Sequence, residues 1–134
     1  MTLYVDSSAL VKRYVDEARS DDARRWLFAD PQWVTANHTY PEVYRVISFQ
    51  APEGSLTEAL DAFEDDWNRT LVVGLDDDLC RRAAALAVTT GTRTLDALHL
   101  AAAEAAGGRS VPFLTFDVRQ ATAARSLGFT VLGV

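Results

Sequence analysis

Lysine is almost missing from this chain: Lys12 is the only one among 13 basic residues, which face 19 acidic ones for a formal net charge of −6. That balance excludes tight, non-specific binding of nucleic acid by charge alone. The arginine pairs Arg24-Arg25 and Arg81-Arg82 read as solvated helix faces. Cysteine also occurs once, at Cys80, so an internal disulfide and a thiolate metal cluster are excluded. The expected place of Cys80 is packed within an Ala-rich helix. No apolar run approaches the roughly 18 residues of a membrane span, and the opening residues lack the basic, apolar and small-residue segments of a signal peptide. A cytoplasmic protein with no membrane association is the expectation. A Gly-rich turn after an early strand is missing too, since Asp6-Ser7-Ser8-Ala9 stands there, which sets aside dinucleotide and P-loop binding. What is present is 49% hydrophobic sequence over 134 residues, without repeat, low-complexity tract or linker. That is enough to bury a core as a single domain, residues 1–134.

Short apolar runs alternate with helical spacing along the chain. Thr2 to Val5 reads as a strand, followed by a helix opening at Ser7 or Ser8. A helix from Ser20 to Phe28 stops at Asp30-Pro31, and a strand lies near Trp33 to Thr35. Thr39 and Glu42 have capping-box spacing with Pro41 in the first turn of a helix reaching about Ser48. Ser55 and Glu58 repeat that spacing ahead of a stripe of Leu56, Leu60, Phe63 and Trp67, read as core. Leu71 to Val73 is a strand, and helices run from Asp76 to Thr90 and from Thr94 to Ala106, closed by Gly91 and Gly107-Gly108. A strand over Val111 to Thr115, a helix over Asp117 to Leu127 and a strand over Thr130 to Leu132 complete the order. The alternation predicts an α/β fold with a parallel sheet covered on both faces.

Three acids fall where this topology concentrates chemistry, and a fourth, Asp96, joins them if its helix docks beside the same crevice. Asp6 follows the first strand, Glu42 lies in the first helical turn after the second, Asp96 opens the helix after Gly91, and Asp117 follows the strand ending at Thr115. Acids at helix starts also serve as caps, worth roughly 0.3 to 1 kcal/mol each, and capping alone accounts for Asp117 and, through Thr39, for Glu42. Asp6 and Asp96 are surplus by that account, because Ser7, Ser8 and Thr94 stand ready to cap. In a parallel sheet the carboxyl ends of the strands form one ligand-binding edge. Like charges gathered there repel unless a cation lies between them. Mg²⁺ or Mn²⁺ suits an all-oxygen site, and four acids can hold one or two such ions, about 3.5 to 4 Å apart when paired for in-line attack on a phosphodiester. Zinc is not expected from one Cys and two His.

With those residues in view, the chain resembles the PIN-domain ribonucleases, in particular the toxin half of VapBC-type toxin-antitoxin pairs. "LYVDSSALVKRYVDE" is similar to the first motif of that family, with Asp6 as its acid and Ser8 at its hydroxyl position. Glu42 matches the second-motif glutamate, "RTLDALHLAAA" places Asp96 in the third, and "FLTFD" places Thr115 and Asp117 in the fourth. His38 departs from the pattern, since a small residue is more usual in that stretch. The resemblance implies a three-layer α/β/α PIN-like domain with a five-stranded parallel sheet. It also implies Mg²⁺- or Mn²⁺-dependent endoribonuclease activity, homodimerisation, and inhibition by a cognate VapB-type antitoxin.

On this reading Asp6, Glu42, Asp96 and Asp117 are the catalytic and metal-holding residues, and Ser8 and Thr115 orient them or their waters. Lys12, Arg13 and Arg45 lie on helices starting near the acidic edge and are candidates for RNA phosphates, or else solvated. His99 is expected to pack with a satisfied ring and His38 to sit in a loop or at a helix start. Trp26, Phe28, Trp33 and Phe49 are read as mostly core, with any exposed subset available to an antitoxin helix. The competing reading is a non-catalytic PIN-like module that binds RNA or protein. A phosphoaspartate enzyme is set aside because Ser8 stands where a second aspartate would be needed, and a receiver domain because no late lysine exists.

Overall fold

A computed structural model describes residues 2–29 and 32–134. Strand β1 (Thr2–Val5) leads into α1 (Ser7–Tyr14) and α2 (Ser20–Ala29), then β2 (Gln32–Ala36) into α3 (Thr39–Gln50) and α4 (Leu56–Asn68). Strand β3 (Leu71–Val73) precedes α5 (Asp77–Thr90) and α6 (Thr94–Ala106), and β4 (Phe113–Thr115), α7 (Val118–Ser126) and β5 (Val131–Gly133) close the chain. The expected stop at Asp30-Pro31 lies outside the described residues.

All pairings are parallel, and the strand order is β3-β2-β1-β4-β5. Strand β1 is central because its side chains are apolar on both faces: Leu3 and Val5 pack into one layer, Tyr4 into the other. One layer joins α1, α3 and α4 through Leu10, Val43, Ile47 and Phe63; the opposite one joins α5, α6 and α7 through Leu86, Leu100 and Ala124. The expected three-layer α/β/α arrangement with five parallel strands is therefore what the chain adopts. Among the described residues no helix is long and apolar enough to cross a membrane.

Local signals hold in part. Gly91 takes a φ of 72° after α5, a left-handed conformation that closes the helix where the sequence places its end. The capping boxes do not form. Thr39 is inside α3, its hydroxyl turned inward to Thr35 Oγ1 at 2.8 Å, and His38 holds the cap position; Ser55 instead donates to the Pro52 carbonyl. Arg93, not Thr94, precedes α6. Strand β4 starts two residues later than expected, because Gly108–Ser110 winds a 3₁₀ turn and Pro112 has no N–H, offering only its carbonyl to Tyr4 N at 2.9 Å. Cys80 is exposed rather than packed. Trp26, Phe28, Phe49 and Leu56 are exposed as well, so only Trp33 of the four aromatics and only Leu60, Phe63 and Trp67 of the α4 stripe pack against the core.

Candidate active site at the sheet switch point

Chain progression from β1 runs one way to β2 and β3, and the other way to β4 and β5, so the order reverses between β1 and β4. At such a reversal the loops leaving the two strands diverge and open a crevice at their carboxyl ends. Asp6 and Asp117 end those two strands. Asp6 turns out to be the cap of α1, accepting from Ala9 N at 3.1 Å, so it is not surplus as sequence reasoning holds. Because Asp6 caps, the serines are free for other tasks. Ser8 Oγ donates to Asp6 Oδ1 at 2.7 Å, accepts from Phe116 N at 3.0 Å and lies 3.3 Å from Thr115 Oγ1. Ser7 Oγ, which sequence reasoning treats only as a cap, donates to Glu42 Oε1 at 2.5 Å and so ties α1 to α3.

Asp117 caps α7 through Arg119 N and Gln120 N, as expected. It borders two grooves, one of about 810 Å³ shared with Asp96, Arg93 and Arg119, the other shared with Ser7, Ser8, Lys12 and Glu42. Helix α6 is docked so that Asp96 reaches this edge: the buried Gln120 donates from Nε2 to the Asp96 carbonyl at 2.9 Å, and His38 Nε2 lies 3.0 Å from the Leu95 carbonyl.

His99 occupies the middle of the cluster and is 2% exposed. Its Nδ1 shares a 2.9 Å hydrogen bond with the Tyr4 hydroxyl, while Nε2 lies 3.0 Å from Ser7 Oγ and 3.2 Å from Glu42 Oε1. The ring is satisfied, as expected, yet it sits in the site. His38 lies beside it, the rings tilted by 46° with centroids 4.2 Å apart, and its Nε2 is 3.5 Å from Glu42 Oε1. Sequence offered one signal for His99, its place one turn after Asp96, and none for Tyr4, whose hydroxyl is hidden in an apolar strand.

The electrostatics follow from burial. Desolvation raises the Asp6 carboxyl above the usual range, against the opposing pull of His99, Thr115 and Ser8. Asp96 is raised by desolvation and then by Asp117. Glu42 is lowered, because hydrogen bonds from His99 and Ser7 outweigh its desolvation. His38 is pushed down to about 4, first by burial and then by His99. Among the described residues no Lys or Arg forms an ion pair with Asp6, Glu42, Asp96 or Asp117. Lys12, at the groove, pairs with Glu17 at 2.9 Å; Arg13 turns to Asp66 at 3.2 Å, and Arg45 lies over Phe49. The one group of His, Cys, Asp and Glu whose ligand atoms all lie within 4.8 Å of one another, among the described residues, is His38, Glu42 and His99.

A five-stranded parallel α/β sheet with acids lining the crevice at its switch point defines the class of fold. The chain belongs to the PIN-domain family, whose profile matches residues 3–126. Ribonuclease VapC35 of Mycobacterium tuberculosis is 33% identical over 139 aligned positions, covering 97% of this chain and 95% of the relative. Among solved structures, M. tuberculosis VapC20, described as a Sarcin-Ricin loop cleaving toxin, superposes with a TM-score of 0.74 at 20% identity over 98% of both chains. A toxin-antitoxin complex from Klebsiella pneumoniae matches with a TM-score of 0.69 at 18% identity over 88% of each chain.

Proposed function

We propose that this protein is a divalent-cation-dependent endoribonuclease, the toxin of a toxin-antitoxin pair. The observation that carries the reading is the convergence of Asp6, Glu42, Asp96 and Asp117 on one edge with no Lys or Arg paired to them among the described residues. Relatives named as VapC ribonucleases support it. The donor set fits Mg²⁺ or Mn²⁺: it is all carboxylate oxygen, and Asp6 is 3% exposed yet has no Lys or Arg partner among the described residues.

Asp6, Glu42, Asp96 and Asp117 would hold one or two such ions. When bound, they supply Lewis acidity at the scissile phosphate and lower the pKa of a water. The chain supplies the rest. Ser8 and Thr115 hold Asp6 in one rotamer, and Ser7 and His99 do the same for Glu42, so the carboxylates are oriented before substrate arrives. Arg93 and Arg119, lining the groove with Asp96 and Asp117, are placed to meet RNA phosphates on either side of the cut. Arg13, another arginine considered for this role, has its guanidinium hydrogen-bonded to Asp66.

The net charge of −6 suits a small basic antitoxin, and the exposed Phe28 and Phe49 offer apolar surface to its helix or to a second copy in a homodimer. The test is cleavage of a panel of structured RNAs by wild type, Asp6→Asn and Asp96→Asn, in Mg²⁺ and in EDTA. Cleavage by wild type in Mg²⁺ alone is expected; undiminished cleavage by either variant refutes the assignment. Wild type that cuts nothing and whose melting temperature ignores Mg²⁺ and Mn²⁺ is instead the non-catalytic module.

A further inference from the structure

The ligand-holding group that the structure draws tightest is not the set of four acids but two imidazoles and the Glu42 carboxylate. His99 Nε2 lies 3.2 Å and His38 Nε2 3.5 Å from the same Glu42 oxygen. Four ligands around an ion at about 2.0–2.1 Å in a tetrahedron stand about 3.3–3.4 Å from one another. The observed separations are already edges of that figure. Nitrogen donors select differently from carboxylates: imidazole suits zinc and its neighbours, whereas Mg²⁺ demands oxygen.

Each ring is prepared for such a role. A neutral imidazole carries one proton, and the Leu95 carbonyl can only accept, so the proton of His38 lies on Nε2. Its Nδ1 is then a bare lone pair, buried and without any hydrogen-bond partner, on a side chain only 9% exposed. Protein interiors leave few such atoms unpaired. The cluster's own hydrogen bonds do not use it, and it gives His38 a nitrogen to which the ring proton can move when Nε2 is engaged. His99 is backed by the Tyr4 hydroxyl at Nδ1, and an oxygen behind the second ring nitrogen is the device that orients metal-binding histidines. The ring proton moves to Nδ1 and is accepted by the phenol oxygen when Nε2 takes an ion.

We propose that His38, Glu42 and His99 form a site for one borderline divalent transition-metal ion of the zinc class, separate in selectivity from the carboxylate site and competing with it for Glu42. Zinc is not expected from a count of Cys and His along the chain, but tertiary structure brings both histidines to one carboxylate. The competition rests on the proposed nuclease site; binding of the ion does not. Loading the triad withdraws Glu42 from the hard-cation set, so zinc switches the nuclease off.

The test uses the full chain, stripped with EDTA and dialysed, titrated with Zn²⁺ alone by calorimetry and with Co²⁺ alone by visible absorption. Wild type is expected to bind one ion and to show the intense bands of four-coordinate Co²⁺. His38→Ala and His38→Asn should each bind at least about tenfold more weakly and lose those bands, while Asp96→Asn and Asp117→Asn keep both. Weak, octahedral-type bands in wild type overturn the proposal without recourse to any variant. Unchanged affinity in either folded His38 variant overturns it too, as does a loss in Asp96→Asn as large as in His38→Ala. None of these readouts needs RNA. If the triad loads but no RNA is cut, the nuclease reading fails alone; if Mg²⁺-dependent cleavage is present without the Co²⁺ bands, this inference fails alone. With both intact, Zn²⁺ added to the Mg²⁺-loaded enzyme suppresses cleavage, and His38→Ala raises the Zn²⁺ concentration required at least about tenfold.

Discussion

Replacing Tyr4 by Phe removes one oxygen from the centre of the molecule and should be felt both in stability and at the site. Tyr4 is fully buried, and its ring stacks on Phe113 at 5.0 Å between centroids, a contact that Phe preserves. What is lost is the 2.9 Å hydrogen bond to His99 Nδ1, which leaves that nitrogen buried with no partner, together with the hydroxyl's hydrogen bonds to Thr35 and the Ala36 backbone. An orphaned buried polar group costs about 1–3 kcal/mol. For a domain of this size that is a fall in melting temperature of about 3–10 °C. The second consequence is at Glu42. With Nδ1 unanchored the imidazole is free to turn, and the 3.2 Å bond from Nε2 to Glu42 loosens. Groups that orient metal-holding residues are worth roughly 10–100-fold in metal affinity, so the Mn²⁺ affinity of Tyr4→Phe should drop within that range. Thermal denaturation in EDTA followed by calorimetric Mn²⁺ titration measures both. A variant that melts within about 1 °C of wild type and binds Mn²⁺ equally well would refute the reasoning, because it would show that His99 needs no support from strand β1.

Other outcomes follow from the same coordinates. Asp6 and Asp96 have raised carboxyl pKa values in the fold, so the stability they contribute is present below the ordinary aspartate value and lost as pH rises through the folded one. His38, pushed down to about 4, acts in the opposite sense as pH falls below the ordinary histidine value, so the aspartate contribution is read as a difference: wild type should gain melting temperature relative to Asp6→Asn as pH falls toward the ordinary aspartate value, and a difference that does not change with pH would contradict the burial argument. Glu42 has the opposite sign from the aspartates: its contribution is present above the ordinary glutamate value and lost as pH drops through the lowered folded one. Asp66, 5% exposed, accepts from Tyr14 at 2.7 Å, Arg13 at 3.2 Å and Arg69 at 2.7 Å; Asp66→Ala should lose about 3 kcal/mol in urea unfolding, the low end for a buried pair because Arg69 is largely in solvent. Gly133 has a φ of +106° and a Cβ there would stand 2.1 Å from the Thr115 carbonyl oxygen, so Gly133→Ala should displace β5 or β4 and lower RNA cleavage along with stability; normal activity would show that the sheet edge yields without moving Thr115.

Strand-helix alternation, the closing glycines and the positions of the four acids were legible along the chain because each depends on neighbours in sequence: apolar spacing, a left-handed turn, a carboxylate after a strand. Those local rules determined the α/β class and put Asp6, Glu42 and Asp117 at one edge, whereas Asp96 reaches it only through the docking of α6. The rules failed where a distant partner outcompeted a local one. Thr39 turned inward to Thr35 instead of capping, Asp6 took the cap that the serines seemed to own, and Ser7 and Ser8 were thereby released to hold Glu42 and Asp6. Exposure of Phe28 and Phe49 could not be read from residue type, since apolar side chains are buried only where another layer covers them. The meeting of Tyr4, His38, Glu42 and His99 was decided by tertiary structure alone. A hydrogen bond or a shared ligand depends on separations of about 3 Å, and residues 57 or 95 places apart acquire such a separation only when the sheet and its two helical layers close around them.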